Sequence, residues 1–352
     1  MPALRVATAL LMVFLTAAAC APASPSSGAV PSNASARGAD AISPQDMEAR
    51  IYFLASDALA GRDTWSPGLE AAAAYLVSEY RQLGLEPGGD NGTFYQRYPF
   101  RSRRGNLAQA PDVIEEETFP PNVIAVLPGS DPELRDEYVV LSAHFDHVGV
   151  GQPADGDSIY NGADDNGTGT AALLEVAKAF TTVQAPRRSV MFLHVSGEEH
   201  GLLGSQYYSE NPTVPVDQIV ANINVDMIGR NSPDSIVAIG KNYSSLGTTV
   251  NEVGARHPEL GLTVSDDLWP EERFFYRSDH FNFARLEIPA IFFFAGVHED
   301  YHRPSDTFDK IDNDKAARVA RLIFHTVQEL ANAPGRPEWD ADGLAEVRQL
   351  TR

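Results

Sequence analysis

Residues 138–147 read YVVLSAHFDH, a β-branched apolar run that ends in two histidines with an aspartate between them. Such a run suits a buried strand and is too short for a helix. Downstream, NGADDNGTG (161–169) forms a glycine-rich acidic loop, and Thr168 to Phe180 carries apolar residues at helical spacing. Strand, loop and covering helix form the unit from which parallel sheets are built.

The same alternation extends in both directions. Val123 to Leu127, Ser189 to Val195, Ile219 to Val225, Ile236 to Ile239 and Ala290 to Phe294 read as further buried strands. Leu202 to Ser209, Leu246 to Arg256 and Asn313 to Leu330 read as helices. Ahead of them, Ser43 caps a helix that starts at Pro44, and Gly68 to Gly84 is a second amphipathic helix closed by glycine. The expected class is α/β, a central mixed, mainly parallel sheet sandwiched by helices. The polar stretch from Arg101 to Pro120 is too short for an inserted domain, and no internal repeat is visible.

The first twenty residues, MPALRVATALLMVFLTAAAC, carry Arg5, an apolar run from Val6 to Leu15 and then small residues. That is a signal-peptide layout, too short for a membrane anchor. Cys20, the sole cysteine, resembles the lipidated residue of a bacterial lipoprotein, and ordinary cleavage after an A-x-A sequence is the alternative. Residues 21–42 are rich in Ala, Ser, Pro and Gly and read as a tether. The folded domain is expected over 43–334, with a solvated tail at 335–352. The localisation this implies is export, to the cell envelope by lipid or otherwise secreted.

Composition narrows function. With 48 acidic and 27 basic side chains the net charge is −21, a field that repels nucleic acid and anionic lipid. Membrane contact is expected only through the lipid, and the protein is expected to be a monomer. One cysteine allows no intrachain disulfide, so the core and any metal must hold the fold.

In open α/β sheets function collects in loops at the carboxyl ends of strands. Five such segments carry metal-ligand residue types. YVVLSA runs into AHFDH, placing His144 at the strand end with Asp146 two residues on, where its carboxylate can fix the imidazole tautomer. NGADDNGTG offers Asp164 and Asp165, which a helix N-terminus alone would also favour. VMFLHVSGEEHGLLGS places Glu198 beside Glu199, a repulsion that wants a cation or a shared proton. INVDMIG ends an apolar strand at Asp226, costly to bury unpaired. EDYHRPSDT supplies Tyr301, His302 and Asp306. Together these suit zinc or a similar divalent ion.

With AHFDH, GADDNGTG, SGEEHGLLGS, NVDMIG and YHRPSDT in this order, the chain resembles the M28 family of co-catalytic zinc aminopeptidases, from about Ser43 to Leu330. The resemblance implies the zinc-dependent exopeptidase fold and two Zn2+ ions, with Co2+ or Mn2+ as substitutes. It implies His144 and Asp226 on one ion, Glu199 and His302 on the other, and Asp164 bridging both, with a cis peptide between Asp164 and Asp165. Glu198 then stands where the family keeps its general base. Two metals about 3.5–4 Å apart share a water and polarise a carbonyl, and Glu198 would move the proton to the leaving amine. Tyr301 is a candidate oxyanion donor or else a packing aromatic. The loop FYRSDHFNFARLEIPAIFF suggests Arg277, Asp279, Phe274 and Phe275 as substrate-binding, although a helix cap at Ser278 explains the same residues.

The remaining histidines divide into two groups. His194 reads as a core residue, and His257, His298 and His325 as solvated or packed. His147, His200 and His280 lie near the motifs without a matched role. Peptides with a free N-terminus are the implied substrates. Three alternatives stay open: a single-zinc glutaminyl cyclase, whose relatives tend to carry Ser where Asp165 stands; a carboxypeptidase on the same fold; and a binding protein on an inactive peptidase fold.

Overall fold

The computed structural model describes residues 37–104 and 114–350; the signal segment, Cys20 and residues 21–36 lie outside the described residues. Four helices open or cover the domain: α1 (Pro44–Leu54), α2 (Pro67–Leu83), α3 (Gly169–Thr181) and α4 (Leu203–Glu210). Ser43 accepts the Asp46 N–H and Ser66 accepts the Leu69 N–H, each at 3.1 Å, with a proline opening each helix. These bonds satisfy amides that the first turn leaves unpaired. Four more follow: α5 (Leu246–Arg256), α6 (His280–Ala284), α7 (Asn313–Asn332) and α8 (Ala341–Leu350).

The principal strands are β1 (Pro121–Leu127), β2 (Tyr138–His144), β3 (Ser189–Val195), β4 (Ile219–Val225), β5 (Ser235–Ile239), β6 (Thr263–Ser265) and β7 (Ala290–Phe294). Their order across the sheet is β1-β3-β2-β4-β7-β5-β6, with short strands Glu86–Pro87 and Tyr95–Arg97 pairing on β1. β3, β2, β4 and β7 run parallel, as do β5 and β6, while β1 on β3 and β5 on β7 are antiparallel. The mixed, mainly parallel sheet expected from sequence is the one observed.

Alternate residues of each strand enter opposite core layers, the period-two rule for a sheet covered on both faces. Val139 and Leu141 of β2, with Val190 and Phe192 of β3, join the larger layer; Val140, Met191 and Leu193 join the smaller. Each such side chain contributes roughly 1.5–3 kcal/mol on burial.

Two boundaries differ from expectation. Ile42, predicted in the tether, is wholly buried and Arg321 donates to its carbonyl, so the domain starts earlier than Ser43. Around the polar stretch that begins at Arg101, Phe100–Arg104 pairs antiparallel with Ile114–Thr118. The tail beyond Pro334 is not a solvated end: α8 packs Val347 into the smaller core layer, and the Trp339 indole donates to the Glu287 carbonyl at 2.6 Å. Among the described residues no helix is long and apolar enough to cross a membrane.

Candidate metal centre

The loops leaving β2, β3, β4 and β7 meet the turn that opens α3. β2 delivers His144, whose Nε2 lies 3.3 Å from Oδ1 of Asp165 and 3.3 Å from Oδ1 of Asp226. The Thr170 hydroxyl donates to the His144 carbonyl at 2.8 Å, and His144 Nδ1 faces the main-chain oxygen of Asp146 at 3.2 Å. The Asp146 carboxylate stands at 3.7 Å. It accepts instead from the Thr64 hydroxyl at 2.9 Å and the Glu198 N–H at 3.3 Å. Asp146 therefore steers the imidazole mainly by its backbone, and its carboxylate ties the His144 loop to Glu198.

Beyond the sharp turn at Gly162 (φ 59, ψ 54) the two adjacent acids part. Asp164 Oδ1 accepts the Gly229 N–H at 2.7 Å and the Thr168 hydroxyl at 3.1 Å, and its Oδ2 lies 3.3 Å from His298 Nε2. Asp165 points the other way: Oδ1 toward His144, Oδ2 3.1 Å from His302 Nε2. The resemblance implies Asp164 as the shared ligand; the geometry gives the position between both clusters to Asp165. The cis peptide likewise joins Asp165 to Asn166, one bond later than expected. Asn166 anchors that turn, donating to the Val225 carbonyl and accepting from Gly169 N–H, both at 2.9 Å.

Two groups of potential ligand atoms result, His144–Asp165–Asp226 and His147–Asp165–Glu199, each with its atoms within 4.8 Å of one another. His302 joins the second, 3.1 Å from Glu199 Oε2. His147, unmatched in the sequence, is completely buried with Nδ1 2.7 Å from Glu199 Oε1. Ser278, read from the sequence only as a helix cap, instead donates to Asp226 Oδ2 at 2.9 Å and accepts from the Asn224 amide at 2.8 Å.

Without a cation, these carboxylates burden one another. Burial, with Asp279, Asp226 and Glu199 around it, pushes the Glu198 carboxyl well above its usual range. Burial opposes charge on His302 too, yet Asp165 and Glu199 carry it up to about 10. Burial also works to raise Glu199, and its histidine neighbours hold it at about 2. His144 Nε2, His147 Nδ1, Glu199 Oε1 and Asp226 Oδ1 are buried with no hydrogen-bond partner. Unpaired buried donors and acceptors of this number are costly, and a divalent cation in each cluster would satisfy them.

A cleft opens over the clusters, lined by Asp165, Glu198 and Asp226 and by Met227, Phe274, Arg277, Phe292, Phe294 and Tyr301. Phe274 and Arg277 both line it, with the guanidinium 4.8 Å above the Phe274 ring. Phe275 does not: it packs edge-on to Tyr243 and His280, both at 4.9 Å. Asp279 lies under the site, fully buried, and burial raises it to about 7. His194 is the core residue expected, 2.6 Å from the Tyr80 hydroxyl, whereas His298 belongs to the wall behind Asp164.

Residues 122–327 match the pattern of Peptidase family M28, more than half of the chain. The chain belongs to peptidase family M28. Its relatives include a probable zinc metalloprotease of Pyrenophora tritici-repentis, 25% identical over 343 residues that cover 85% of this chain and 68% of the relative. A probable leucine aminopeptidase of Arthroderma otae is 29% identical over 229 residues, 62% of this chain and 60% of that one. Solved structures share the fold. The aminopeptidase from Aneurinibacillus sp. strain AM-1 aligns with TM-score 0.63 at 18% identity, over 86% of this chain and 97% of its own. The glutaminyl cyclase of Porphyromonas gingivalis aligns with TM-score 0.63 at 21%, over 82% and 98%. Family and relatives make this M28 protein a zinc-dependent peptidase.

Proposed function

We propose that the protein is an aminopeptidase that holds two zinc ions and removes residues from the free N-terminus of peptides. The observation that carries this reading is the shared position of Asp165 between two ligand clusters, with Glu198 beside both and in neither. His144, Asp165 and Asp226 would hold one ion; Asp165, Glu199 and His302 the other. Zinc so held supplies a Lewis acid for the scissile carbonyl and a water of lowered pKa. Glu198 accepts the proton of the attacking water and passes it to the leaving amine. Tyr301, kept protonated by burial and the surrounding carboxylates, donates to the oxyanion.

The likeness to a glutaminyl cyclase supports a second reading, a single-zinc cyclase. The distinction drawn at Asp165 no longer separates the two, because Asp165 is the shared residue and Asn166 the one that follows it. A complete second cluster favours the two-ion hydrolase. The test is metal content together with product analysis. Two zinc equivalents and released N-terminal residues are expected, with Glu198→Gln keeping both metals while hydrolysis of aminoacyl-anilides collapses. One zinc and cyclised N-terminal glutamine would favour the cyclase. The signal-like N-terminus supports export, with Cys20 as the lipid attachment point.

A further inference from the structure

We infer that His147 is a fourth protein ligand of the ion held by Asp165, Glu199 and His302, so that the two metal positions are inequivalent. This rests on the two-metal reading above.

His147 is built into place from several sides. Its main-chain N–H donates to the Arg62 carbonyl at 3.2 Å. The Arg62 guanidinium in turn donates to the carbonyls of Phe145 at 2.9 Å, Asn161 at 2.7 Å and Gly162 at 2.9 Å, and to that of Leu54. The His147 ring lies against Gly162, where a Cβ would sit 2.5 Å from the ring Cγ. Glycine there both makes the turn and leaves room for the imidazole.

The ring nitrogens identify the use. Both are buried without a hydrogen-bond partner. Nδ1 is 2.7 Å from Glu199 Oε1 and 3.8 Å from Asp165 Oδ2, and these three ligand atoms lie within 4.8 Å of one another, close enough to share one ion. The His302 ring stands across that space, its centroid 5.7 Å from that of His147 at 68°. Zinc bonds of 2.0–2.1 Å in a tetrahedron set donors about 3.3 Å apart, comparable with the 2.7, 3.1 and 3.8 Å separations here.

Four protein donors close a zinc position, whereas three leave a place for water. The His147 ion is then the anchored one. The ion at His144, Asp165 and Asp226 keeps the open place facing the cleft and is the first to leave under a chelator.

Zinc X-ray absorption on the protein loaded with two equivalents tests this by counting imidazoles. Three over two ions are expected, falling to two in His147→Gln, which keeps a polar group beside Glu199 but offers no ring nitrogen. The tighter of the two binding steps should weaken about 100-fold or more in that variant, beyond what losing an outer contact does. Two imidazoles over two ions in the unaltered protein would overturn the inference, and this measurement requires no variant to fold. A loading of one zinc per chain would instead overturn the two-metal reading.

Discussion

The Asp306 carboxylate accepts the main-chain N–H of Asp165 at 3.1 Å, and that of Asp164 at 3.0 Å. A side chain four residues past His302 thus fixes the backbone of Asp165, the acid common to both candidate clusters, binding the loop after β7 to the turn before α3. Asp306→Ala is expected to lower zinc affinity about 10–100-fold and to cost about 1–3 kcal/mol for the buried amides it strands. Chelator competition and thermal unfolding of the chelated protein measure the two effects separately. Asp306→Asn retains one acceptor oxygen and should fall between.

Tyr301 stacks on His302 with ring centroids 3.8 Å apart and lines the cleft beside that candidate ligand. Tyr301→Phe should lower kcat about 100-fold or more, the usual cost of an oxyanion donor. KM and zinc content should hardly move. A comparable rise in KM with kcat intact would make Tyr301 a binding wall instead.

Asp279 predicts a pH effect in the metal-free protein. Burial raises its folded-state value to about 7 from an ordinary 3.8, so between these values the folded chain binds more protons than the unfolded one. Stability from this group is full below about pH 4 and declines as pH rises toward 7. Asp279→Asn should therefore flatten the pH profile, stabilising the chelated protein near pH 8 relative to its effect near pH 4. Urea unfolding at the two pH values decides it.

The C-terminal segment braces the cleft from behind. Tyr243 donates to Glu346 of α8 at 2.8 Å and meets Phe275 edge-on, next to Phe274 in the cleft wall. Trp339→Ala should destabilise by about 2 kcal/mol, less than a fully buried tryptophan. Removal of residues 335–352 should raise KM for peptides more than it lowers kcat, as steady-state kinetics would record.

The sheet was legible because each buried strand is a short apolar run, and the ligand types were legible because strand ends collect them. Which of two neighbouring acids stands between the clusters was not. Asp164 and Asp165 are both buried, and only the path of the turn sends one to Gly229 and the other between the histidines. His147 escaped for a related reason. Strand alternation pairs His144 with residue 146, but the chain turns after β2, and the third residue swings back into the site. The docking of 335–350 depends on Glu287 and Tyr243, far away in sequence, for which Trp339 and Val347 alone give no local signal.

Arg62 and Thr64 lie well upstream of residue 122, where the family pattern starts, yet one pins both histidine-bearing and acid-bearing loops and the other holds Asp146. The portion recognisable by descent is therefore smaller than the portion that builds the site. A fragment cut to the recognisable span would carry every candidate ligand and still lack the floor that aims them, so a fragment expected to work must reach back through the N-terminal helices.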